Sequence, residues 1–281
     1  EPIPPKHLKH LPNENLAKGK KLRRGRQLAA EHRCFKCHAT DAPVKGMPEL
    51  AMDAPAFEGI GSRRGMDWMA DWVLNPKKMR PSAKMPAMLH SSTAEADARS
   101  IGAYLGSLKS EQPPKSVSVD SGGISEGQAL YKQLNCAACH TLEEEPAEKA
   151  KLAISQAQRK FGQAGALSAF LQNPQAHYKW IRMPNFVLTR KEANSLAAFL
   201  FSKSTPTKAI SKNYDASRIA AGKKLVSSQG CLNCHSMNLE NSFSVAAISD
   251  LTKGCLAGSP EGSSAQFGFA STELLALRLF M

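Results

Sequence analysis

Gly127-Gln128-Ala129-Leu130-Tyr131-Lys132-Gln133-Leu134-Asn135-Cys136-Ala137-Ala138-Cys139-His140 is the stretch on which the reading of this 281-residue chain turns. It ends in C-x-x-C-H, and the same motif stands at Cys34-Phe35-Lys36-Cys37-His38 and at Cys231-Leu232-Asn233-Cys234-His235. Six of the seven cysteines are thereby used. The flanks repeat as well. Gly25, Gly127 and Gly222 each precede their first cysteine by nine residues, and Leu28, Leu130 and Leu225 by six. Each flank reads as a short helix running into its motif, with the leucine one turn from the glycine and facing a core. A glycine there lets another backbone come close.

The motif carries specific chemistry. Two thiols three positions apart reach the two vinyl groups of one haem as thioethers, and the adjacent histidine then presents an imidazole to the iron. Paired C-x-x-C motifs also bind zinc, and a single one can be a redox dithiol. Neither use requires a histidine directly after every motif. The expected attachment residues are therefore Cys34, Cys37, Cys136, Cys139, Cys231 and Cys234, with His38, His140 and His235 as iron ligands and three haem c groups as cofactors.

A second helical pattern lies downstream of each motif: Ile101, Tyr104, Leu105 and Leu108; Leu196, Phe199 and Leu200; Leu277, Phe280 and Met281. Spacings of three and four give each one apolar face. The stretches Glu111 to Gly123 and Ser202 to Asn213 are polar and rich in helix breakers, so they read as linkers. A glycine-bearing first helix, C-x-x-C-H, a polar loop, a Met-Pro element and a closing aromatic helix together resemble the class I cytochrome c domain. The resemblance covers nearly the whole chain. It implies an all-α fold of three tandem cytochrome c-like domains, each wrapping one covalent haem, with first and last helices crossing near the glycine. It also implies assembly outside the cytoplasm, in the periplasm or extracellular space. The expected division is 1–112 for an N-terminal arm and first domain, 113–206 for the second, and 207–281 for the third. The last pattern stops at Met281 without a cap, so the third domain reads as cut short.

In such domains a methionine before the closing helix supplies the other axial ligand, and its thioether raises the reduction potential. Met85-Pro86 lies 47 residues after His38 and Met183-Pro184 lies 43 after His140. Met85 and Met183 are the expected ligands, with Met79 and Met88 competing in the first domain. The third domain departs from the pattern. Glu192, Leu196, Phe199 and Leu200 align without a gap to Glu273, Leu277, Phe280 and Met281, and this register puts Ser264 where Met183 stands. An open iron, a ligand from elsewhere, or Met237 all remain open there. The other candidates are His7, His10, His32, His90 and His177. Cys255, the unpaired thiol, reads as a buried inert residue. Trp68 and Trp72, one helical turn apart, suit core packing, a haem face or a docking surface. Arg63 and Arg64 suit haem propionates.

Composition narrows the function. Hydrophobic residues make up 42% and charged residues 22%, as in ordinary globular proteins. No apolar run approaches the roughly 20 residues that cross a bilayer. The opening Glu1-Pro2-Ile3-Pro4-Pro5 has no export-signal pattern, so an exported protein would be met here in its mature form. The net charge is +13. Three haems with two propionates each would lower it to roughly +10 to +7. The basic cluster Lys18, Lys20, Lys21, Arg23, Arg24 and Arg26 has no interleaved aromatics, so base stacking, and with it nucleic-acid binding, is not the expectation. The charge instead suits redox partners, a donor and an acceptor with acidic docking surfaces, or a larger redox complex. Electron transfer is the leading reading, as a carrier or a cytochrome subunit. The alternative is a peroxidase-like enzyme acting at the third haem.

Overall fold

Three pairs of helices, each crossing at a glycine, organise the chain. The computed structural model describes residues 13–38, 52–142, 151–205, 215–244, 250–257 and 264–281. His7, His10 and the expected boundary at 206/207 lie outside them. The helices are α1 (Asn13–His32), α2 (Cys34–Cys37), α3 (Met66–Leu74), α4 (Pro76–Met79), α5 (Ala94–Ser107), α6 (Ser121–Gln133), α7 (Ala157–Phe161), α8 (Ala164–Gln172), α9 (Arg190–Ser202), α10 (Ala216–Ser228), α11 (Cys231–Cys234) and α12 (Ser271–Phe280). Two residue pairs, His140–Thr141 (β1) and Leu152–Ala153 (β2), form a short parallel ladder. The described chain is thus mostly helical.

Each helix that leads into a C-x-x-C-H motif packs against a closing helix, and the glycine makes this contact possible. A Cβ on Gly127 would stand 2.0 Å from the Ser195 carbonyl oxygen and 2.7 Å from Phe199 Cβ. The same atom on Gly25 would stand 2.1 Å from Ala276 O and 2.7 Å from Phe280 Cβ, and on Gly222 2.0 Å from Ser100 O and 2.9 Å from Tyr104 Cβ. No side chain fits at such distances, so each crossing is backbone on backbone.

The partners do not follow the contiguous division. α6 crosses α9 within 121–202, whereas α1 crosses α12 and α10 crosses α5. The helix before the first motif is closed by the last helix of the chain, and the helix before the third motif by 94–107. The helix pairing thus runs across the expected bounds 1–112 and 207–281 rather than within them. The physical reason is degeneracy. All three closing helices offer the same contact, a carbonyl and an aromatic Cβ one turn apart, so the repeat defines the joint without choosing the partner.

The chain divides into two compact units. The first comprises 1–52, 84–88 and 244–281; the second comprises 53–83 and 89–243. In the first, Leu28 and Phe35 pack with Ala276 and Leu277, and Arg24 pairs with Glu273 at 2.6 Å. In the second, Tyr131, Leu167, Leu171, Leu196, Phe199 and Leu200 form a core, and Ile101, Tyr104, Leu105 and Val226 are buried at the α5–α10 joint. Each such aliphatic or aromatic side chain contributes about 1.5–3 kcal/mol on burial. Leu130 and Leu225 are only half-buried, because the neighbouring Tyr131 and Val226 take the inward positions.

Caps set the helix starts. Thr189 and Glu192 form a reciprocal capping box at α9. Asp120 accepts from Gly123 N at 2.8 Å, so 121–123, read from sequence as linker, is instead the first turn of α6.

Candidate haem-attachment sites

All three motifs share a local geometry. The residue before the first cysteine is left-handed in each case: Arg33 at φ 57°, Asn135 at φ 51° and Gly230 at φ 75°. This residue ends the incoming helix and redirects the chain into one tight turn. His38 N donates to Cys34 O at 3.0 Å, Cys139 N to Cys136 O at 3.2 Å, and His235 N to Cys231 O at 3.0 Å. Two thiols and an imidazole are thereby held on one turn. Sequence reading missed this position, although Asn135 and Gly230 carry the compositional mark of a left-handed residue. Arg33 carries none, and its strain is worth about 1–2 kcal/mol.

None of the seven cysteines is in a disulfide. Burial pushes the Cys136 thiol up and the Cys231 thiol up to about 11. Among the described residues no three His, Cys, Asp or Glu side chains converge as a zinc cage requires.

The histidines of the second and third motifs are oriented by backbone. His140 Nδ1 lies 3.3 Å from Leu152 O, along the β1–β2 ladder. His235 Nδ1 lies 2.7 Å from Pro55 O, 180 residues away in sequence, and Phe57 stacks on its ring at 4.3 Å. A bond to a carbonyl at Nδ1 leaves Nε2 as the nitrogen that a metal could use. Burial lowers the pKa of His140, a shift opposed by its contact with Leu152 and reinforced by Lys160 and Arg80, and this favours the neutral imidazole that metal ligation requires.

The methionines divide between the units. Met183 packs against the core that also takes Cys136. Met85 sits in the unit that holds His38. Its segment is fixed there by the Lys84–Glu31 ion pair, by Lys84 O beside His32 Nδ1 at 3.2 Å, and by the bridge between Ala87 and Gln266. Ser264 falls in that same unit and His235 in the other. The alignment that matched Ser264 to Met183 therefore describes the unit of the first motif, not of the third.

Of the candidate histidines, His32 is buried against Phe267 and Phe269, and His177 is exposed. His90 differs. Its Nε2 is buried with no hydrogen-bond partner among the described residues, in the unit of His235 and four residues before α5. Met79 and Met237 are half-buried in that unit, while Met88 belongs to the other. Cys255 is half-buried, and burial raises its pKa.

Cations without counter-charges among the described residues lie around Phe161, and one of them, Lys160, acts on His140. Arg64 sits 4.5 Å from the Phe161 ring centroid and Lys160 5.4 Å from the same centroid. Burial pulls Arg64 down to about 9 and Lys160 well below the usual amine range, and no carboxylate offsets either shift. Trp68 and Trp72 stack on each other at 5.2 Å, with Lys160 and Arg80 over them at 5.4 and 5.9 Å. They form a cation-capped pair rather than a buried core. Arg63 donates to the carbonyls of Ala56 and Glu58, both at 2.8 Å. Buried cations lacking an anion fit a group that brings carboxylates of its own. Thiols, imidazoles and thioethers fit the rest of a haem.

No helix among the described residues is long and apolar enough to cross a membrane. No curated protein and no solved structure matches the chain. Residues 124–204, which span α6 to α9 with Cys136, Cys139, His140 and Met183, match the family described as Cytochrome c, and this one domain supports a c-type cytochrome carrying covalent haem.

Proposed function

We propose that the chain carries electrons outside the cytoplasm through three c-type haems, as a carrier or as the cytochrome subunit of a larger redox complex. The observation that carries this reading is the repetition of one device. A left-handed residue, C-x-x-C-H and a glycine-crossed helix pair recur three times, and one copy lies in the segment that matches Cytochrome c. Cys34 and Cys37, Cys136 and Cys139, and Cys231 and Cys234 would hold the three groups, with His38, His140 and His235 as proximal ligands. A haem so held supplies reversible one-electron chemistry, and the protein buries, orients and tunes it.

Met85 and Met183 serve as sixth ligands of the first and second haems. For the third we assign His90, because its Nε2 is buried with no hydrogen-bond partner among the described residues and the segment bearing it leads into the helix that closes the third motif. Two imidazoles set a lower potential than a histidine and a thioether, so the third haem would be the most reducing. Arg64 and Lys160 would hold propionates.

Carbon monoxide tests the ligand set. It enters an open iron readily and a saturated one poorly. The reduced spectrum of the native protein should not shift with the gas, whereas His90→Ala should shift about one third of the haem absorbance. A prompt shift in the native protein would mean an open third iron, which would favour small-molecule reduction over electron transfer alone.

A further inference from the structure

Gly65 is where two parts of the second compact unit interlock. Its N–H donates to Lys160 O at 2.9 Å, and a Cβ there would stand 2.2 Å from Arg159 O. Asp71, on α3, pairs with Arg159. A backbone contact and an ion pair thus join α3 to α7. On one side of this joint α3 packs against α5, the helix that closes the third motif. On the other, α7 follows β2, whose Leu152 carbonyl faces His140 Nδ1.

The joint brings cations to the second motif from outside the 124–204 segment. Arg64, beside Gly65, lies 4.5 Å from the Phe161 ring centroid and 5.6 Å from that of Phe170, and both rings belong to the segment. Arg80 follows α4, and its charge acts on His140 and on Lys160. It is also felt by Arg182, the residue before Met183. Burial lowers the pKa of Arg64, Arg80 and Lys160 alike, and no carboxylate among the described residues offsets any of the three shifts. The acids of α3 are turned to another cation: Asp71 pairs with Arg159, whose charge also acts on Asp67.

We propose that Arg64 and Arg80, supplied by the part of the chain that closes the third motif, set the potential of the second haem and keep it more readily reduced than residues 124–204 would alone. This rests on the electron-transfer reading above. The physical cause is charge. An iron that takes up one electron passes from ferric to ferrous and loses one positive charge, while no proton or atom moves. Cations held in a low-dielectric interior favour that change, and their field is screened little by salt. A segment that folded without 64–80 would keep Lys160 and lack both arginines. The second and third sites are therefore linked: the helix pair that closes one also carries the charges that tune the other.

Spectroelectrochemical titration of the full haem-loaded chain tests this, with the second haem's wave identified as the one that Met183→His displaces. At a fixed applied potential, Arg64→Met and Arg80→Met should each lower the ratio of ferrous to ferric second haem about tenfold, a shift of about 59 mV for a one-electron couple. Arg64→Lys keeps the charge and should stay within about threefold of the native ratio. Lys203→Met removes an exposed cation of the same unit and should change the ratio less than about twofold, because solvent and salt screen it. The first haem should not move in any of these variants. An unmoved second haem in both arginine-to-methionine variants, an equal shift of all three haems, or a shift with Arg64→Lys as large as with Arg64→Met overturns the assignment. Where Arg64→Met does not take up haem, Arg80→Met decides the matter. Haem content is measured throughout: native chains without haem refute the electron-transfer reading, whereas loaded chains with an unmoved second haem refute only the role of the two arginines.

Discussion

The middle of the molecule closes on itself and its flanks do not. Between 121 and 202, the helix before the motif, the histidine and the closing helix come from one continuous stretch, so α6 and α9 meet across about 70 residues. α1 meets α12 across some 250 residues, and α10 meets α5 across more than 100. All three joints use the same glycine-to-carbonyl contact. The contrast shows that an internal repeat specifies a joint and leaves the partner to be decided by the rest of the chain. Long-range joints also carry the larger loop-closure cost, since the intervening chain must close before their contacts form.

Removing residues 264–281 separates the two arrangements with the largest effect. With the observed pairing, the first site loses its closing helix and the third keeps its own. Haem should therefore vanish from the Cys34–Cys37 peptide and stay on the Cys231–Cys234 peptide, as read by peptide mass. Contiguous domains predict the reverse loss.

The glycines sharpen the same point at a smaller scale. Gly25→Ala, Gly127→Ala and Gly222→Ala should each cost about 3 kcal/mol, since a Cβ would meet backbone that cannot yield. The informative quantity is the coupling. Gly25→Ala should couple with Phe280→Ala by about 1 kcal/mol and be additive with Tyr104→Ala, while Gly222→Ala should couple with Tyr104→Ala. Denaturant midpoints of the double-mutant cycles measure this. Coupling of Gly25 with Tyr104 would restore the contiguous division.

Much of this was open to reading from residues alone. C-x-x-C-H, the glycine nine residues earlier and the aromatic of each closing helix are local patterns, and the structure places a close crossing at every one of those glycines. The choice of partner was not legible, because Phe280, Phe199 and Tyr104 present equivalent contacts. The orienting carbonyls at Leu152 and Pro55 were hidden for another reason: any residue can offer a backbone oxygen. Nor was the burial of His90 Nε2 foreseeable, since it depends on packing around a loop. The left-handed Arg33 left no compositional trace, whereas Asn135 and Gly230 did.

A gentler comparison concerns two equivalent caps. Thr189 at φ −61°, ψ 161° caps α9, and Ala270 at φ −69°, ψ 156° stands at the same place before α12. Thr189→Ala should destabilise by about 1 kcal/mol, and Ala270→Thr should stabilise by a similar amount, since the backbone already has the capping geometry. Thermal midpoints of the loaded protein report both.

The smallest effect is that of pH on the outer joint. Burial opposes ionisation of Glu273, but the Ala270 N–H and Arg24 outweigh it and hold its carboxyl below the usual 4.5. The unfolded chain then binds the proton more readily than the folded one. The stabilisation is full above pH 4.5 and is lost as pH falls through the lower folded value. Glu273→Gln should remove part of the acid sensitivity of the α1–α12 joint, read as a flatter plot of stability against pH below 5, and leave the α6–α9 joint unchanged.

The central claim is that each C-x-x-C-H motif carries one covalent haem. Intact mass and peptide mapping of the protein, produced in a host with haem-attachment machinery, test it most directly. The account predicts three added haem masses, one on each of the peptides bearing Cys34–Cys37, Cys136–Cys139 and Cys231–Cys234, whereas free thiols on all three would contradict it.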